Sequence, residues 1–194
     1  MGSNPTSRIM NTLIAVAIEE EVPTLKHEHN VFAVGVGKVN ATHALTRLII
    51  EHEPKLVVNY GTAGGVTQYL KGLIECSHFI QWDMNCTKVG FSKFQTPFEP
   101  PAWTVIGSGD GVMCGTGDTF VTDTSNIPCD VVDMEAYAMA KVCRNFDVPF
   151  RCFKYISDSA DEKAGTDWQQ FNFADAEKKF IDELKRIDGN EIVL

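Results

Sequence analysis

The stretch from Val131 to Asp161 constrains the fold of this chain more than any other. It begins with two valines, continues through an apolar, helix-like run to Asn145, and ends in a second apolar run, Phe150–Ile156. A strand, a helix and a second strand in this order are typical of α/β proteins. Carboxylates lie at two ends of these elements: Glu135 is near the start of the predicted helix, and Asp158 follows the second predicted strand.

The rest of the chain continues this alternation of strand-like and helix-like segments. Apolar runs predict strands at Thr12–Ile18, Val31–Val36, Lys55–Tyr60, Ile74–Trp82 and Phe150–Ile156, with two short candidates inside Val105–Cys114. Apolar residues at helical spacing predict helices over Lys38–His52, Met134–Asn145 and Asp167–Arg186. Glycines predict turns at Gly61–Gly65 and Gly115–Gly117, and prolines predict a surface loop that covers a pocket at Gly90–Pro101. The alternation predicts the α/β class.

Length, charge and apolar runs limit the number of domains and the kinds of partner. A chain of 194 residues fits one domain, here residues 11–194, behind residues 1–10, which are predicted to be a disordered or vector-derived leader. The net charge of −9 argues against nucleic-acid binding, which needs a basic surface. No apolar run approaches the roughly 20 residues of a membrane helix, and no secretory signal is visible, so no membrane partner is expected.

The cysteines and histidines predict no metal site. The six cysteines form no CxxC pair and match no zinc signature, so buried reduced thiols are expected, as in a cytoplasmic protein. His27 and His29 would face different ways on a helix. The chain is expected to use no metal and no other cofactor.

Several residues have an ordinary structural interpretation when they are considered alone. Glu19–Glu21 are typical of an acidic helix start, Glu135 of a helix-start glutamate, and Phe120 of a core aromatic. Glycines such as Gly61–Gly65 let backbone amides approach a ligand, although most such segments are only turns. Asp158 fits a capping residue, or a group at the carboxyl end of a strand, where ligands gather in open α/β sheets.

Motifs in the expected order resemble one family over most of residues 12–187. They are Ala17–Val22, Gly61–Gly65, Gly115–Val121, Asp133–Ala136 and Ser157–Asp161. They resemble the nucleoside phosphorylase and nucleosidase superfamily, and most of all the 5′-methylthioadenosine/S-adenosylhomocysteine nucleosidases. The resemblance implies a three-layer α/β/α sandwich with a central mixed β-sheet. It also implies hydrolysis of the N-glycosidic bond of a purine nucleoside, and a homo-oligomer, with a dimer favoured.

The resemblance assigns the chemistry to two carboxylates. Glu21 is expected to be the general base that activates the attacking water. Asp158 is expected to be the general acid that protonates purine N7, with Ser157 orienting it, and this requires a pKa raised by desolvation. Glu19–Glu21 stand where a phosphorylase carries its phosphate-binding loop, and they would repel phosphate, so water is the expected nucleophile.

The resemblance also implies how the base is held. Thr62 is expected near the nucleophile, with Ala63 and Gly64 lining the ribose and base pocket. Phe120 is expected to stack on the purine ring, and the backbone of Val121 to pair with the edge of the base. Stacking and backbone pairing together recognise a flat heterocycle without a charge.

On the sugar side, Glu135 is expected to accept hydrogen bonds from two vicinal hydroxyls beside an apolar wall from Met134. Three positions depart from the residues that are usual in the family. Ile18 stands where methionine is usual, Asp133 where glutamate is more frequent, and Lys154 where arginine commonly lies near the water and the base. Since lysine and arginine differ in geometry, the water position is expected to be altered.

The region between Phe91 and Val112 is short and lacks a helix that family members place there. The 5′ substituent of the sugar is commonly recognised in this region. The leading substrate is therefore 5′-methylthioadenosine or S-adenosylhomocysteine, with futalosine-type and other purine nucleosides open. The alternatives are a purine nucleoside phosphorylase, a non-catalytic nucleoside-binding protein, and a nucleotide-cofactor oxidoreductase suggested by the glycine-rich segments.

Overall fold

A mixed β-sheet of eight strands is the centre of the structure. The computed structural model describes residues 10–107 and 110–188. The strands are β1 (Thr12–Val16), β2 (Val31–Ala33), β3 (Leu56–Gly65), β4 (Leu73–Gln81), β5 (Val105–Gly107), β6 (Val112–Thr116), β7 (Val131–Asp133) and β8 (Phe150–Asp158). The helices are α1 (Lys38–His52), α2 (Ala136–Asn145), α3 (Ala164–Gln169) and α4 (Phe173–Asp188). Single-turn helices cover Glu19–Glu21, Leu25–His27, Thr87–Val89 and Pro101–Trp103.

The sheet has two parts: an open edge formed by β2 and β1, and a part whose strands form a closed circuit. The order is β2-β1-β3-β7-β6-β4-β5, and β8 pairs with both β3 and β4. Strands β1, β2, β3 and β8 are mutually parallel, whereas β7 runs antiparallel to β3, and β4 antiparallel to β8. Because β3, β7, β6, β4 and β8 are hydrogen-bonded in a circuit, this half closes on itself like a small barrel.

Helices cover both faces of the sheet. On one face, Leu45 and Ile49 of α1 pack with Met139 of α2 against Leu13 and Val57. On the other face, apolar side chains of α4 pack against β1, β3 and β8; the members of this core cluster include Phe180, Leu184, Val16, Val58 and Phe153. This arrangement confirms the predicted three-layer α/β/α sandwich with a central mixed sheet.

The glycine-rich segment Gly61–Gly65 is not a turn, contrary to the prediction. It is the second half of β3, and β8 pairs with β3 from Val57 to Gly64. The glycines serve close approach, because a Cβ on Gly61 would lie 2.9 Å from Glu21 Oε1, and one on Gly64 would lie 2.9 Å from Asp158 Oδ1. Two carboxylates can therefore approach the face of this strand.

Two other predicted elements differ from the structure. Gly115 and Thr116 belong to β6, since they pair with β4 on one side and β7 on the other, so the predicted turn at Gly115–Gly117 is wrong there. The single C-terminal helix predicted over Asp167–Arg186 is instead α3 and α4 with a break at residues 170–172. Asn172 causes the new start, because its side-chain oxygen accepts the Asp175 amide at 3.2 Å, as an N-cap does.

Met10, the last residue of the predicted leader, contacts the rest of the domain. Residues 1–9 lie outside the described residues, but the Met10 amide donates to the His52 carbonyl at 3.0 Å, and its side chain packs against the core. Five of the six cysteines are buried and Cys86 is partly buried; none is in a disulfide, as predicted. Within residues 10–107 and 110–188, no helix has the length and apolar character needed to cross a bilayer.

Candidate active site

A cavity of about 380 Å³ opens at the carboxyl ends of β1, β3, β7 and β8. All the predicted site residues except Lys154 line it: Ile18, Glu21, Thr62, Ala63, Gly64, Phe120, Val121, Asp133, Met134, Glu135, Ser157 and Asp158. The proline-rich segment Gly90–Pro101 was predicted to cover a pocket, but none of its residues lines this one. Glu99 instead pairs with Lys141 of α2 at 2.6 Å.

The sheet topology creates this opening. Strand β1 pairs with β3 only as far as Asn59, and β7 joins the same edge of β3 only from Gly64. Between these points, one edge of β3 has no neighbouring strand. A crevice between diverging neighbours at the carboxyl ends of strands is where α/β sheets bind ligands.

Glu21 fills part of this gap. The single-turn helix Glu19–Glu21 points Glu19 and Glu20 to solvent, whereas Glu21 is only 4% exposed. Its Oε1 accepts the Thr62 amide at 2.8 Å and the Thr62 hydroxyl at 3.2 Å, and its Oε2 accepts the Ala17 amide at 2.9 Å. Burial raises the pKa of Glu21, opposed by the charge of Lys154 and these amides. Only the third glutamate is therefore placed for chemistry.

Asp158 is the last residue of β8, at the strand end where the sequence predicts it. Its Oδ1 accepts the Ala160 amide at 2.9 Å, and the Ser157 hydroxyl lies 2.8 Å from its Oδ2. Burial raises the pKa of Asp158 despite these two hydrogen bonds. A carboxyl group with a raised pKa can hold and donate a proton closer to neutral pH.

Glu135 precedes the first residue of α2 but makes no capping hydrogen bond to that helix. Its Oε1 accepts the Gly37 amide at 2.9 Å, which ties the start of α1 to the cavity. Burial, followed by the nearby charge of Asp133, raises the pKa of Glu135 to about 7. Its side chain therefore lines the cavity and does not cap the helix.

Lys154 and Asp133 form a buried ion pair. Lys154 Nζ lies 2.8 Å from Asp133 Oδ2, and both side chains are 1% exposed. Asp133 also accepts the Thr116 hydroxyl at 2.6 Å and the Ala136 amide at 2.8 Å. Although burial opposes it, this pairing holds the pKa of Asp133 below and that of Lys154 well above their usual values. Contrary to the expectation, Lys154 does not line the cavity. It contacts the site only through its ion pair with Asp133, which does.

Phe120 lies on the cavity wall and is 47% exposed, so it is not a core aromatic. Its neighbours Thr119 and Val121 line the same wall, in the irregular segment between β6 and β7. An exposed aromatic face beside buried carboxylates suits a flat ring better than a charged group.

The comparisons with known proteins agree with this geometry. The model of the phosphorylase superfamily matches residues 21–105 and 99–189. The chain belongs to the phosphorylase superfamily. In this superfamily match, the two pieces overlap at residues 99–105, at the end of the connection between β4 and β5. That connection contains two single-turn helices, Thr87–Val89 and Pro101–Trp103.

Named relatives and solved structures are similar over most of their length. The 5′-methylthioadenosine/S-adenosylhomocysteine nucleosidase of Haemophilus influenzae is 35% identical over 162 residues, covering 71% of this chain and 71% of the relative. The structure of the Neisseria meningitidis enzyme of that name, in complex with methylthio-immucillin-A, has a TM-score of 0.75 at 25% identity, covering 87% and 94%. Futalosine hydrolase of Helicobacter pylori has a TM-score of 0.78 at 22% identity, covering 90% and 98%, and supports the fold alone.

The structure adds residues to this superfamily site that the sequence did not predict. They are Ala17, Val36, Thr119, Val132, Gly165, Trp168 and Gln169. Trp168 was missed because it was assigned to one long helix with a charged outer face, whereas α3 is a separate helix against the cavity. The signal in the sequence was a tryptophan shortly after the Ser157–Asp161 motif. Among the described residues, no cluster of three or more histidine, cysteine or carboxylate side chains is arranged to hold a metal.

Replacing Lys154 with methionine is expected to lower the free energy of unfolding by about 3 kcal/mol, because it leaves Asp133 buried without its cation. Urea denaturation of both proteins measures this difference. Lys185→Met is the matched control, since Lys185 and Asp182 are exposed and 3.9 Å apart, and it should change stability by under about 0.5 kcal/mol. If Lys154→Met were as stable as the parent, the ion pair would not hold the site together.

Proposed function

We propose that this protein hydrolyses the N-glycosidic bond of 5′-methylthioadenosine and S-adenosylhomocysteine, releasing adenine and the thioribose, as an enzyme of methionine salvage. One observation carries the proposal. Two carboxyl groups, Glu21 and Asp158, line a single cavity, and burial raises the pKa of each. The relatives named above bear the name of this activity.

The reaction needs these two groups in opposite protonation states. Cleavage builds positive charge on the sugar, as in glycoside hydrolysis, and negative charge on the departing base. Ionised Glu21 accepts a proton from the attacking water, while protonated Asp158 donates one to purine N7. Each proton transfer contributes about 10²–10⁴ in rate. The direct amide donors on Glu21 favour its ionised form, although burial opposes it.

The cavity-lining residues other than Glu21 and Asp158 bind the substrate. Glu135 Oε1 is held by the Gly37 amide, so the rest of its carboxyl group is available to the two ribose hydroxyls. Met134 supplies an apolar contact beside them. Phe120 stacks on the purine, and the backbone of Val121 pairs with its edge. Ile18, Ala63 and Gly64 line the sugar and base pocket.

Water is favoured over phosphate as the nucleophile because of the charge in the cavity. Four carboxyl groups line it, namely Glu21, Asp133, Glu135 and Asp158, and no lysine, arginine or histidine does so among the described residues. Of these, Glu21 is ionised in the proposed reaction, whereas Asp158 is protonated and the charge of Asp133 is paired with Lys154. Phosphate would enter without a cationic partner and against like charge. This argues for a hydrolase and against the phosphorylase alternative.

We also propose that the chain is a cytoplasmic homodimer, with the partner subunit covering the cavity mouth. Val36 and Phe120 line the cavity yet are 46% and 47% exposed, and Val39 in the first turn of α1 is 79% exposed. Apolar groups exposed together beside a ligand site are typical of a protein interface. Sedimentation velocity at micromolar concentration should give twice the chain mass, and a monomer throughout would contradict this.

The function is tested by chromatography of reaction products. The protein is incubated with 5′-methylthioadenosine, S-adenosylhomocysteine, futalosine, adenosine and inosine, each with and without phosphate. Release of adenine from the first two without phosphate is expected, and the fastest substrate identifies the pathway. Base release that depends on phosphate would indicate a phosphorylase. Binding by calorimetry without any base release would indicate a nucleoside-binding protein.

A further inference from the structure

The indole of Trp168 is linked to the general base by hydrogen bonds. Trp168 Nε1 donates to the Thr62 hydroxyl, with 3.1 Å between Nε1 and Oγ1. The same hydroxyl lies 3.2 Å from Glu21 Oε1, and the Thr62 amide donates to that oxygen at 2.8 Å. A chain of three side chains therefore runs from α3 to the carboxylate that activates water.

The chemistry of the three groups fixes the direction of this chain. An indole N–H can only donate, so Thr62 Oγ1 must accept from it. The proton of the Thr62 hydroxyl is then free to point to Glu21, which accepts when ionised. Without Trp168, the hydroxyl could rotate toward other acceptors or toward solvent.

The position of the indole is itself determined by packing. The Trp168 ring contacts the ring of Phe173 edge-on, with 5.7 Å between centroids and 80° between planes. Phe173 begins α4 and contacts Phe171 in the same manner, at 5.1 Å and 86°. The N–H is therefore held toward Thr62 by an aromatic cluster at the junction of α3 and α4.

We infer that Trp168 is a positioning residue for Glu21, acting through the Thr62 hydroxyl. The inference rests on the proposed hydrolysis, in which Glu21 is the base. It gives α3 a second role besides lining the cavity. A displacement of α3 would remove the indole donor from the Thr62 hydroxyl, which could then turn away and stop donating to Glu21. Loss of this donor makes the ionised carboxylate less stable and its alignment to water less exact.

The test uses Trp168→Phe, Thr62→Val, their double variant and Thr62→Ser. Each of the first two is expected to lower kcat/KM about three- to tenfold, the range of one hydrogen bond. The acid limb of the pH profile should move to higher pH, because the Thr62 hydroxyl no longer stabilises ionised Glu21. Thr62→Val removes this hydroxyl, and Trp168→Phe leaves it free to rotate away. The double variant should equal Thr62→Val alone, because the two residues act in series, and Thr62→Ser should restore the parent profile.

A control variant and an NMR titration test the role of Trp168 separately from the proposed hydrolysis. Trp103→Phe is the matched control, because Trp103 stacks on Arg144 away from the cavity, and it should leave kcat/KM and the pH profile unchanged. In the second arm, the indole Nε1–H resonance of Trp168 is followed by NMR through a pH titration. It should shift with the titration of Glu21 in the parent and in Thr62→Ser, but not in Thr62→Val or Glu21→Gln.

The outcomes are distinct. If the parent released no base, the proposed hydrolysis would fail, while the NMR titration would still decide whether Trp168 senses Glu21. Additive losses in the double variant, with an unmoved acid limb and an indole resonance insensitive to Thr62, would overturn the inference and make Trp168 only a wall of the cavity.

Discussion

Asp158→Asn is expected to reduce kcat for base release by about a thousandfold, within the range assigned to general acid catalysis. Asparagine keeps the shape of the side chain and can still meet the Ser157 hydroxyl and the Ala160 amide. It cannot transfer a proton to N7, so the purine would have to leave as an anion. Single-turnover release of adenine, followed by chromatography, measures the loss.

The pH profile gives an independent reading of Asp158. A group that must be protonated supports catalysis below its pKa and stops doing so as pH rises through it. Because burial raises the pKa of Asp158, this decline should occur above the ordinary aspartate range, and the residual rate of Asp158→Asn should lack it. Asp161→Asn is the control, since Asp161 is exposed, lies outside the cavity lining and accepts the Lys163 amide at 2.8 Å. Its charge is the last of the causes that raise the pKa of Asp158, so this variant should stay within about threefold of the parent rate. Near-normal activity of Asp158→Asn would refute its assignment as the acid.

Glu21→Gln is expected to have a loss of similar size, about a thousandfold in kcat. The amide cannot accept the proton of the attacking water. Activity of the parent should fall as pH drops through the raised pKa of Glu21, because the base must be ionised. The variant should still bind a nucleoside in calorimetry, since Glu135 and Phe120 are unchanged.

The neighbouring glutamate provides a control for Glu21. Glu20→Gln removes the same charge one residue earlier, from an exposed side chain, and should leave kcat within about twofold. Thermal unfolding should show that Glu21→Gln is folded, since it removes a carboxylate whose burial is unfavourable in the ionised form. If Glu20→Gln were as inactive as Glu21→Gln, the general negative charge of this turn, and not the buried base, would be responsible.

The position of Asp158 and the fold class could both be predicted from local sequence patterns. An apolar run that ends in Ser157-Asp158 indicates a strand whose last residues face the ligand edge, and β8 ends at Asp158. Apolar spacing over Lys38–His52 predicted α1 to the residue. These predictions succeed because they depend on neighbours in sequence, through side-chain periodicity and the direction of a strand.

Other features depended on partners distant in sequence. Gly61–Gly65 have the local preference of a turn, yet pairing with β8 keeps them in β3. Lys154 was expected beside the attacking water, but it pairs with Asp133, 21 residues earlier in the chain. The lysine itself lies outside the cavity wall. Trp168 lies 106 residues from Thr62, so no local pattern could reveal their hydrogen bond.

The sequence by itself determined the α/β class, the family, and which carboxyl groups and which aromatic residue line the cavity, since motifs and periodicities are local properties of a chain. Only the tertiary structure decided how Glu21 is held, where Lys154 finds its counter-charge, and that Trp168 reaches the Thr62 hydroxyl beside Glu21. Those choices follow from the gap that β1 and β7 leave along β3. Such a gap exists only after strands from distant parts of the chain have paired.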